Sequence, residues 1–277
     1  MTTNASWRNA TSLLAGALLL AGCSDDKPTK AEKVAAASVP GAPPQGAADA
    51  AAKGAPASKV SESNDLVEFV YAYPEEAAQI PELARALDGD RATKRGTLIA
   101  AAQRDKAAAE KGEYPYRAHI YRQIWQRVTS TPRFLSLSAG VEMYTGGAHG
   151  MQTFDTLIWD RNRRKQLKPL DLFTSGEAFD TAIKDNFCGG IKRAKAAKGI
   201  AADEAPDSPF GKCPPASAQT VWLGSSDGRY LDRMTIAIAP YEIGPYAEGS
   251  YKINVPVTGA LVKAVKAEFA RDFLPIN

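Results

Sequence analysis

The sequence has few of the residues on which catalysis and metal binding most often depend. Among 277 residues it holds two histidines, His119 and His149, and three cysteines. The histidines lack the H-x-x-x-H spacing that places two imidazoles on one helix face for a metal ion. Its one G-x-S-x-G match, Gly224-Ser225-Ser226-Asp227-Gly228, precedes a predicted strand and not the helix that a nucleophile turn requires, so we interpret it as an ordinary turn. No cysteine–histidine family signature occurs in the sequence. It therefore predicts no metal and no cofactor, and it excludes the hydrolases that these signatures identify.

The sequence also lacks an excess of charge of either sign. Its 34 Lys and Arg residues face 31 Asp and Glu residues, a formal net charge of +3. Nucleic-acid-binding domains normally carry a clearly basic face, so we predict no nucleic-acid partner. The near balance also provides no acidic field that would steer a strongly basic protein toward this one.

A long apolar run is missing as well, but a short one lies near the N-terminus. Arg8 precedes an apolar region of roughly ten residues, too short for a helix to cross a bilayer core of ~30 Å. The Leu20-Ala21-Gly22-Cys23 that follows resembles a bacterial lipoprotein lipobox. This resemblance implies a signal peptide over residues 1–22 and a Cys23 that is acylated and held in a lipid bilayer. The alternative is a soluble secreted protein with an incidental Cys23.

Residues 23–62 are rich in Ala, Pro, Gly, Lys and Ser. Such a segment buries too little apolar surface to offset its chain entropy, which predicts a disordered tether behind the lipid anchor. The predicted location is therefore the bacterial cell envelope, on a membrane and facing the periplasm or the exterior. The choice between inner and outer membrane stays open.

The rest of the chain predicts an α+β fold, a mostly antiparallel sheet with helices packed on it. We expect two sequential subdomains, an N-terminal one over residues 63–132 and a C-terminal one over residues 133–277. Alternation of apolar and polar residues marks strands. The predicted strands are 65–73, 116–128, 134–144, 153–159, 220–223, 229–239 and 251–255.

Helical periodicity and helix breakers predict the remaining elements. A helix beginning at Glu75 is expected to end at Asp88-Gly89-Asp90, and a second helix to cover 91–111. Thr174 and Glu177 form a T-x-x-E capping box ahead of a third helix. Its apolar face is Phe179, Ile183 and Phe187, and the Gly189-Gly190 pair is expected to interrupt it. A last helix over 257–272 is predicted from Leu261, Val265, Phe269 and Phe273, spaced by four.

Cys188 and Cys213 are predicted to form a disulfide, because an even pair in an oxidising compartment most simply pairs. The loop between them is rich in lysine, then in proline and glycine, and would gain from a covalent link. The competing interpretation, a catalytic thiolate at Cys188, has no local signature to support it.

A glycine-rich turn between two predicted strands is the clearest candidate site. In Gly146-Gly147-Ala148-His149-Gly150, three glycines in five positions indicate positive φ angles or a close approach by another group. Three roles stay open for His149: it holds the turn through hydrogen bonds, it contacts a ligand, or it acts as a general base beside Asp155 or Asp171. Tyr241 and Tyr246 either offer aromatic surface to a ligand or pack their own loop.

Several motifs together resemble a known paired module. They are Y-T-G-G-A-H-G at 144–150, Leu-Asp-Leu-Phe at 170–173, P-Y-E-I-G-P-Y-A-E-G-S-Y-x-I-x-V-P at 240–256, and the proline–glutamate segments at 74–76 and 80–83. This module is found in the extracellular part of a lysozyme-sensing anti-sigma factor and ahead of the catalytic domain of a peptidoglycan deacetylase. Its C-terminal half is a domain of unknown function. The similarity extends over most of residues 64–273.

The resemblance implies an α+β fold displayed outside the cytoplasm, which binds lysozyme in some relatives. It does not extend to sigma-factor regulation, because the sequence shows no cytoplasmic sigma-binding part. We predict an envelope-tethered, non-catalytic lipoprotein that binds a cell-wall glycan such as peptidoglycan, or a lysozyme-like protein. The predicted ligand-binding residues are Tyr144, Gly146, Gly147, His149, Gly150, Asp171, Tyr241 and Tyr246.

Two alternatives to this prediction remain. One is a hydrolase or deacetylase that acts on cell-wall polymers through His149 and a nearby carboxylate, for which Asp155, Asp171 and Glu142 are the candidates. It requires an open cleft with His149 within hydrogen-bond reach of one of them. The other is a purely structural envelope component, which has neither cleft nor ligand.

Overall fold

The computed structural model describes residues 56–200, 208 and 210–276. The predicted signal peptide, Cys23 and residues 23–55 of the predicted tether lie outside these residues. The prediction of a tether over residues 56–62 is wrong, because these residues belong to a β-strand. None of the helices over the described part of the chain is long and apolar enough to cross a membrane. The predicted fold class is confirmed: the fold is α+β, with two mostly antiparallel sheets and four α-helices in this part of the chain.

The larger sheet has six strands in sequence order. They are β1 (Pro56–Ser63), β2 (Val67–Pro74), β3 (His119–Ser130), β4 (Phe134–Tyr144), β5 (Met151–Asp160) and β6 (Lys165–Leu167). All neighbours pair antiparallel except β2 and β3, which are parallel. A parallel pair needs a long crossover, and here α1 (Glu75–Ala78) and α2 (Pro81–Lys111) provide it.

The predicted helix break at Asp88-Gly89-Asp90 is wrong, because α2 runs through it for 31 residues. Asp88 and Asp90 accept hydrogen bonds of 2.9 Å each from the hydroxyls of Tyr73 and Tyr71 on β2. The two aspartates therefore dock the helix on the sheet, and this tertiary contact outweighs the local preference for a turn. The predicted end of the helix at Gly112 is confirmed.

The face of the large sheet under α2 is one hydrophobic core, built around Phe69, Tyr71, Leu83, Leu137 and Trp159. The predicted strand 116–128 corresponds to β3, which begins three residues later and lies inside the sheet. Its two faces differ in burial. The face with Tyr121 and Trp125 is buried, whereas Ile124 on the other is 44% exposed.

The second core lies between the other side of β4 and β5 and the C-terminal part of the chain. There, β7 (Thr220–Gly224), β8 (Arg233–Ile238) and β9 (Tyr251–Pro256) form a three-stranded antiparallel sheet. This layer also contains α3 (Gly176–Ala197) and α4 (Gly259–Ala264). The predicted division into subdomains at residues 132 and 133 stays a prediction, and the hydrogen bonds between β3 and β4 continue across it.

Arg133 ties the large sheet to the C-terminal layer. Its guanidinium forms ion pairs with Asp160 at 3.0 Å and Asp272 at 2.8 Å. It also lies over the rings of Phe134 and Phe269, 5.1 and 4.7 Å from their centroids. The Asp160 side chain is 0% exposed, so this arginine neutralises a carboxylate that has no access to water.

The third helix differs from its prediction at both glycines and at its cap. Ser175, not Thr174, caps α3, since its hydroxyl accepts a hydrogen bond of 3.0 Å from the Ala178 amide. The Thr174 hydroxyl instead donates to the carbonyl of Ala264. The helix continues through Gly189-Gly190. A Cβ on Gly190 would come within 2.4 Å of Ile253 Cγ2, so this glycine lets β9 pack against the helix.

The predicted apolar face of α3 is confirmed, with Phe179, Ile183 and Phe187 all buried. The disulfide is confirmed too: Cys188 on this helix is bonded to Cys213, with an S–S distance of 2.05 Å. Phe179 and its neighbours pack into the C-terminal core, and the disulfide fixes the following loop to the same helix.

The predicted last helix over 257–272 is wrong in length. The helix α4 ends at Ala264, because Val265 is extended and forms an isolated bridge with Phe173. A separate 3-10 turn follows at Ala270–Asp272. The four residues that suggested one long helix, Leu261, Val265, Phe269 and Phe273, are nevertheless all buried. The spacing by four therefore predicted correctly that these residues are buried, but not that they lie in one helix.

Candidate functional site

The glycine turn joins β4 to β5 and projects into solvent. Gly146 and Gly147 have φ angles of +103° and +85°, where an L side chain is strained. A Cβ on either residue would meet nothing within 4 Å. Glycine is therefore favoured at both positions by the backbone conformation and not by steric crowding. At Gly150 a Cβ would come within 3.1 Å of the Met143 carbonyl oxygen. The turn thus offers bare, accessible backbone at two positions.

His149 is exposed at this turn and held by two hydrogen bonds. Its Nδ1 lies 2.9 Å from the carbonyl oxygen of Gly150, and its Nε2 lies 3.2 Å from the hydroxyl of Tyr241. Because a carbonyl only accepts, we assign the proton of the neutral ring to Nδ1, and Nε2 then accepts from the tyrosine. The ring stacks on Tyr246 with centroids 3.9 Å apart and 19° between planes.

His149, Tyr241 and Tyr246 together form an aromatic shelf beside the turn. The Tyr246 hydroxyl donates to the Gly150 carbonyl at 2.8 Å, which fixes the loop of the two tyrosines to the hairpin. Tyr241 is 47% exposed and has a positive φ of 73°. A non-glycine residue there is strained, and such residues often occur where neighbouring contacts, and sometimes function, require them.

Lys198 fixes the same loop from the other side. Its ammonium donates to the carbonyls of Glu248 and Ser250 at 2.6 and 2.9 Å and lies 3.6 Å from the centroid of the Tyr251 ring. Burial lowers the pKa of this lysine, and the nearby Glu248 partly opposes that effect. The loop that carries Tyr241 and Tyr246 is therefore attached at both ends.

A groove of about 530 Å³ opens on the side of the turn that carries Tyr144. One wall is the turn over residues 144–148, and the other is the segment 114–117, which links α2 to β3. The two come together because β3 pairs with β4 in the register that places Ile120 opposite Tyr144. Tyr144 stiffens the turn, since its hydroxyl donates to the Gly147 carbonyl at 3.1 Å.

His119 and Asp105 also line this groove. The His119 ring is buried, and its Nε2 lies 3.1 Å from the Oδ2 of Asp105 on α2. A carboxylate only accepts, so Nε2 carries a proton, and in the neutral ring Nδ1 is an acceptor. That Nδ1 is buried and has no hydrogen-bond partner among the described residues.

The carboxylates that a catalytic His149 requires are engaged elsewhere. Asp155 accepts from the Gln123 amide at 3.1 Å and from the Thr156 amide at 2.8 Å, and burial raises its pKa. Glu142 pairs with Arg122 at 3.2 Å. Within the described part of the chain, no carboxylate hydrogen-bonds His149, and no group of three or more metal-ligating side chains occurs.

Asp171 is the predicted site residue that the structure does not join to the others. Its carboxylate accepts from the backbone amide of Lys168 at 2.8 Å and caps its own 3-10 turn, Pro169–Leu172. Its carbonyl accepts from Lys266. The remaining predicted residues come together at the hairpin: Tyr144, Gly146, Gly147, His149, Gly150, Tyr241 and Tyr246.

Sequence reasoning missed the groove wall formed by Asp105 and residues 114–117. These residues carry no motif, and only the pairing of β3 with β4 brings them to the turn. Two tyrosines and an arginine just after a long helix are the sole signal that the sequence offers.

Part of this chain is similar to a known protein family. Residues 60–152 match the family model described as "Deacetylase PdaC". That segment contains the second half of β1, all of α1, α2, β2, β3 and β4, and the glycine turn, so this part of the chain is similar to that family. No curated protein matches the chain.

Two solved structures of the DUF3298 family are similar to this chain. One, from Bacteroides fragilis, is 17% identical, covers 79% of this chain and 98% of its own, and has a TM-score of 0.47. The other, from Pseudomonas aeruginosa PAO1, is 16% identical, covers 76% and 94%, and has a TM-score of 0.46.

Proposed function

We propose that this protein is an envelope-tethered, non-catalytic binding module that recognises a cell-wall glycan or a lysozyme-like protein at its glycine turn. The proposed tether runs from an acylated Cys23 to the residue before β1, which begins at Pro56. The observation that carries the proposal is the exposed aromatic shelf of His149, Tyr241 and Tyr246 beside a turn without side chains at Gly146 and Gly147. A match to a family named for a deacetylase supports the cell-wall context.

The shelf suits recognition because His149 and Tyr241 are exposed, Tyr246 is half-buried beside them, and all three rings are already ordered. Three rings are held to one another and to the Gly150 carbonyl, so little side-chain entropy remains to be lost on binding. Tyrosine and histidine rings present a flat apolar face that stacks on a sugar ring or a partner's side chain. The bare backbone at Gly147 allows a close approach alongside.

The contacts of His149 favour binding over hydrolysis. A general base needs a nitrogen that can reach the proton it removes, and a carboxylate commonly orients it. Here Nε2 is occupied by Tyr241, and the other nitrogen by a backbone carbonyl. Both nitrogens therefore serve to hold the shelf together.

Co-sedimentation with purified cell-wall sacculi and capture on immobilised lysozyme test this proposal. We expect the full chain to bind one of the two, and His149→Ala and Tyr246→Ala to weaken that binding at least about tenfold, as loss of a central aromatic contact does. Tyr230→Ala is the control, since Tyr230 is also exposed but lies outside the shelf. Equal binding by all variants, or no binding by the wild type, would overturn the proposal.

The same preparations separate the enzyme alternative. Incubation of sacculi with the wild-type chain should release neither acetate nor soluble glycan above the level of His149→Ala. A release that depends on His149 would replace the binding module with a hydrolase or deacetylase.

A further inference from the structure

We infer that the groove beside the glycine turn is a subsite for a saccharide that carries a carboxylate. This inference rests on the proposed function, because the groove and the aromatic shelf adjoin the same glycine turn and the inference names the ligand class. The groove lies on the Tyr144 side of the turn, and its volume of about 530 Å³ is in the range of small-ligand pockets.

The first support is an unpaired cation at the groove. Arg117 lines it and is exposed, and among the described residues no carboxylate pairs with its guanidinium. A guanidinium offers a planar fork of donors that matches a carboxylate in two parallel hydrogen bonds. Other surface arginines near this face are occupied: Arg122, for example, bridges Glu68 and Glu142.

The second support is an aromatic platform next to that cation. Tyr114 is 55% exposed and lines the same groove. Tyr116 fixes the segment that carries both residues, since its hydroxyl donates to the Leu66 carbonyl at 2.7 Å. An exposed tyrosine face beside bare backbone suits the apolar face of a sugar ring.

The third support is an acceptor held in place at the groove. The His119 ring is fully packed, and its Nε2–H holds one oxygen of Asp105 at 3.1 Å. The other oxygen of that carboxylate makes no hydrogen bond to the described residues and can accept from a sugar hydroxyl. His119 is thus a positioning residue for Asp105.

The two charges together select the ligand class. A neutral sugar would leave Arg117 without an anionic partner, and a doubly charged phosphate would bring twice the negative charge of a carboxylate near Asp105. A saccharide with one carboxylate and several hydroxyls satisfies both groups. Such a carboxylate occurs in a lactyl ether on an amino sugar or in a uronic acid. The groove would recognise the carboxylate and hydroxyl groups that both kinds of saccharide share.

Calorimetric titration of the full chain tests this inference with three probes of similar size. They are the N-acetylglucosamine–N-acetylmuramic acid disaccharide, a glucuronic acid–N-acetylglucosamine disaccharide, and neutral N,N′-diacetylchitobiose, so that each acidic probe carries one carboxylate. We expect at least one acidic probe to bind about tenfold or more tightly than diacetylchitobiose, the scale of one charge-assisted contact. Which acidic probe binds better identifies the source of the carboxylate.

Arg117→Gln should abolish the preference for the acidic probe, while Arg271→Gln should keep it. Arg271 is a matched control because it is exposed and does not line the groove. An acidic preference that survives Arg117→Gln, equal binding of all three probes, or binding of none would overturn the inference. Retained binding to sacculi or to lysozyme in any of those cases would leave the proposed function standing, whereas absence of both would remove the proposed function together with this inference.

Discussion

Replacement of Gly147 by alanine separates what the turn needs to fold from what it needs to bind. Gly147 has a φ of +85°, and a Cβ there meets nothing within 4 Å. The methyl group therefore costs only backbone strain, about 1–2 kcal/mol for an L residue in the left-handed region. Because the turn is an exposed hairpin tip, we expect at most this loss in the free energy of unfolding, measured by urea denaturation.

Gly199 provides the matched control for this substitution. It has a φ of +73°, and a Cβ there likewise meets nothing within 4 Å, but it follows α3 and does not belong to the turn. Gly147→Ala and Gly199→Ala should lose similar stability. Only Gly147→Ala should lose binding to sacculi or lysozyme, because its methyl group occupies the space that the ligand approaches. If both variants bind like the wild type, the bare backbone of the turn is not a recognition surface.

Two further predictions concern buried charge. Arg133→Gln leaves the inaccessible carboxylate of Asp160 without its main partner, which should cost about 3–5 kcal/mol in the free energy of unfolding. Arg164→Gln, which breaks an exposed ion pair with Glu82, should cost no more than about 1 kcal/mol; similar losses would refute the role of Arg133. Burial raises the pKa of Asp155, so the folded state binds this proton more tightly than the unfolded chain, whose pKa is about 3.9. Its contribution to the free energy of unfolding should therefore fall as pH rises from about 3.9 through the raised folded-state pKa. Asp155→Asn should remove that fall when the free energy of unfolding is measured by urea denaturation at successive pH values. The same pH dependence in the variant and the wild type would contradict this prediction.

Strands with clean alternation of apolar and polar residues could be predicted from the sequence, although the first four residues of the strand 134–144 are buried on both faces. The predicted strand 134–144 has the bounds of β4. The disulfide was predictable too, since an even pair of cysteines left one pairing. In both cases a local pattern determines the outcome.

The errors occur where a distant contact overrides a local preference. Asp88 and Asp90 suggest a turn, yet tyrosines on β2 hold them inside one helix. Gly190 suggests a helix end, yet it makes room for Ile253. Periodicity at Val265 suggests a helix, yet a bridge to Phe173 draws the residue into an extended conformation.

The candidate site shows the same contrast between residues that a local sequence pattern identifies and residues that only distant contacts bring together. The glycine turn and its histidine lie within five consecutive residues, so the sequence indicated them directly. The hydrogen bond between His149 and Tyr241 spans 92 positions, and no pattern in the sequence predicted it. The groove wall around Arg117 has no motif and depends on the register of β3 against β4, which the sequence did not define.

The most direct test of recognition at the hairpin is chemical-shift mapping on the isotope-labelled full chain. The chain is titrated in one series with soluble peptidoglycan glycan strands and in another with lysozyme. The account predicts that in at least one series the largest shifts fall on residues 144–150 and on Tyr241 and Tyr246. Binding that shifts other surfaces and leaves these resonances unmoved, or no shifts in either series, would contradict it.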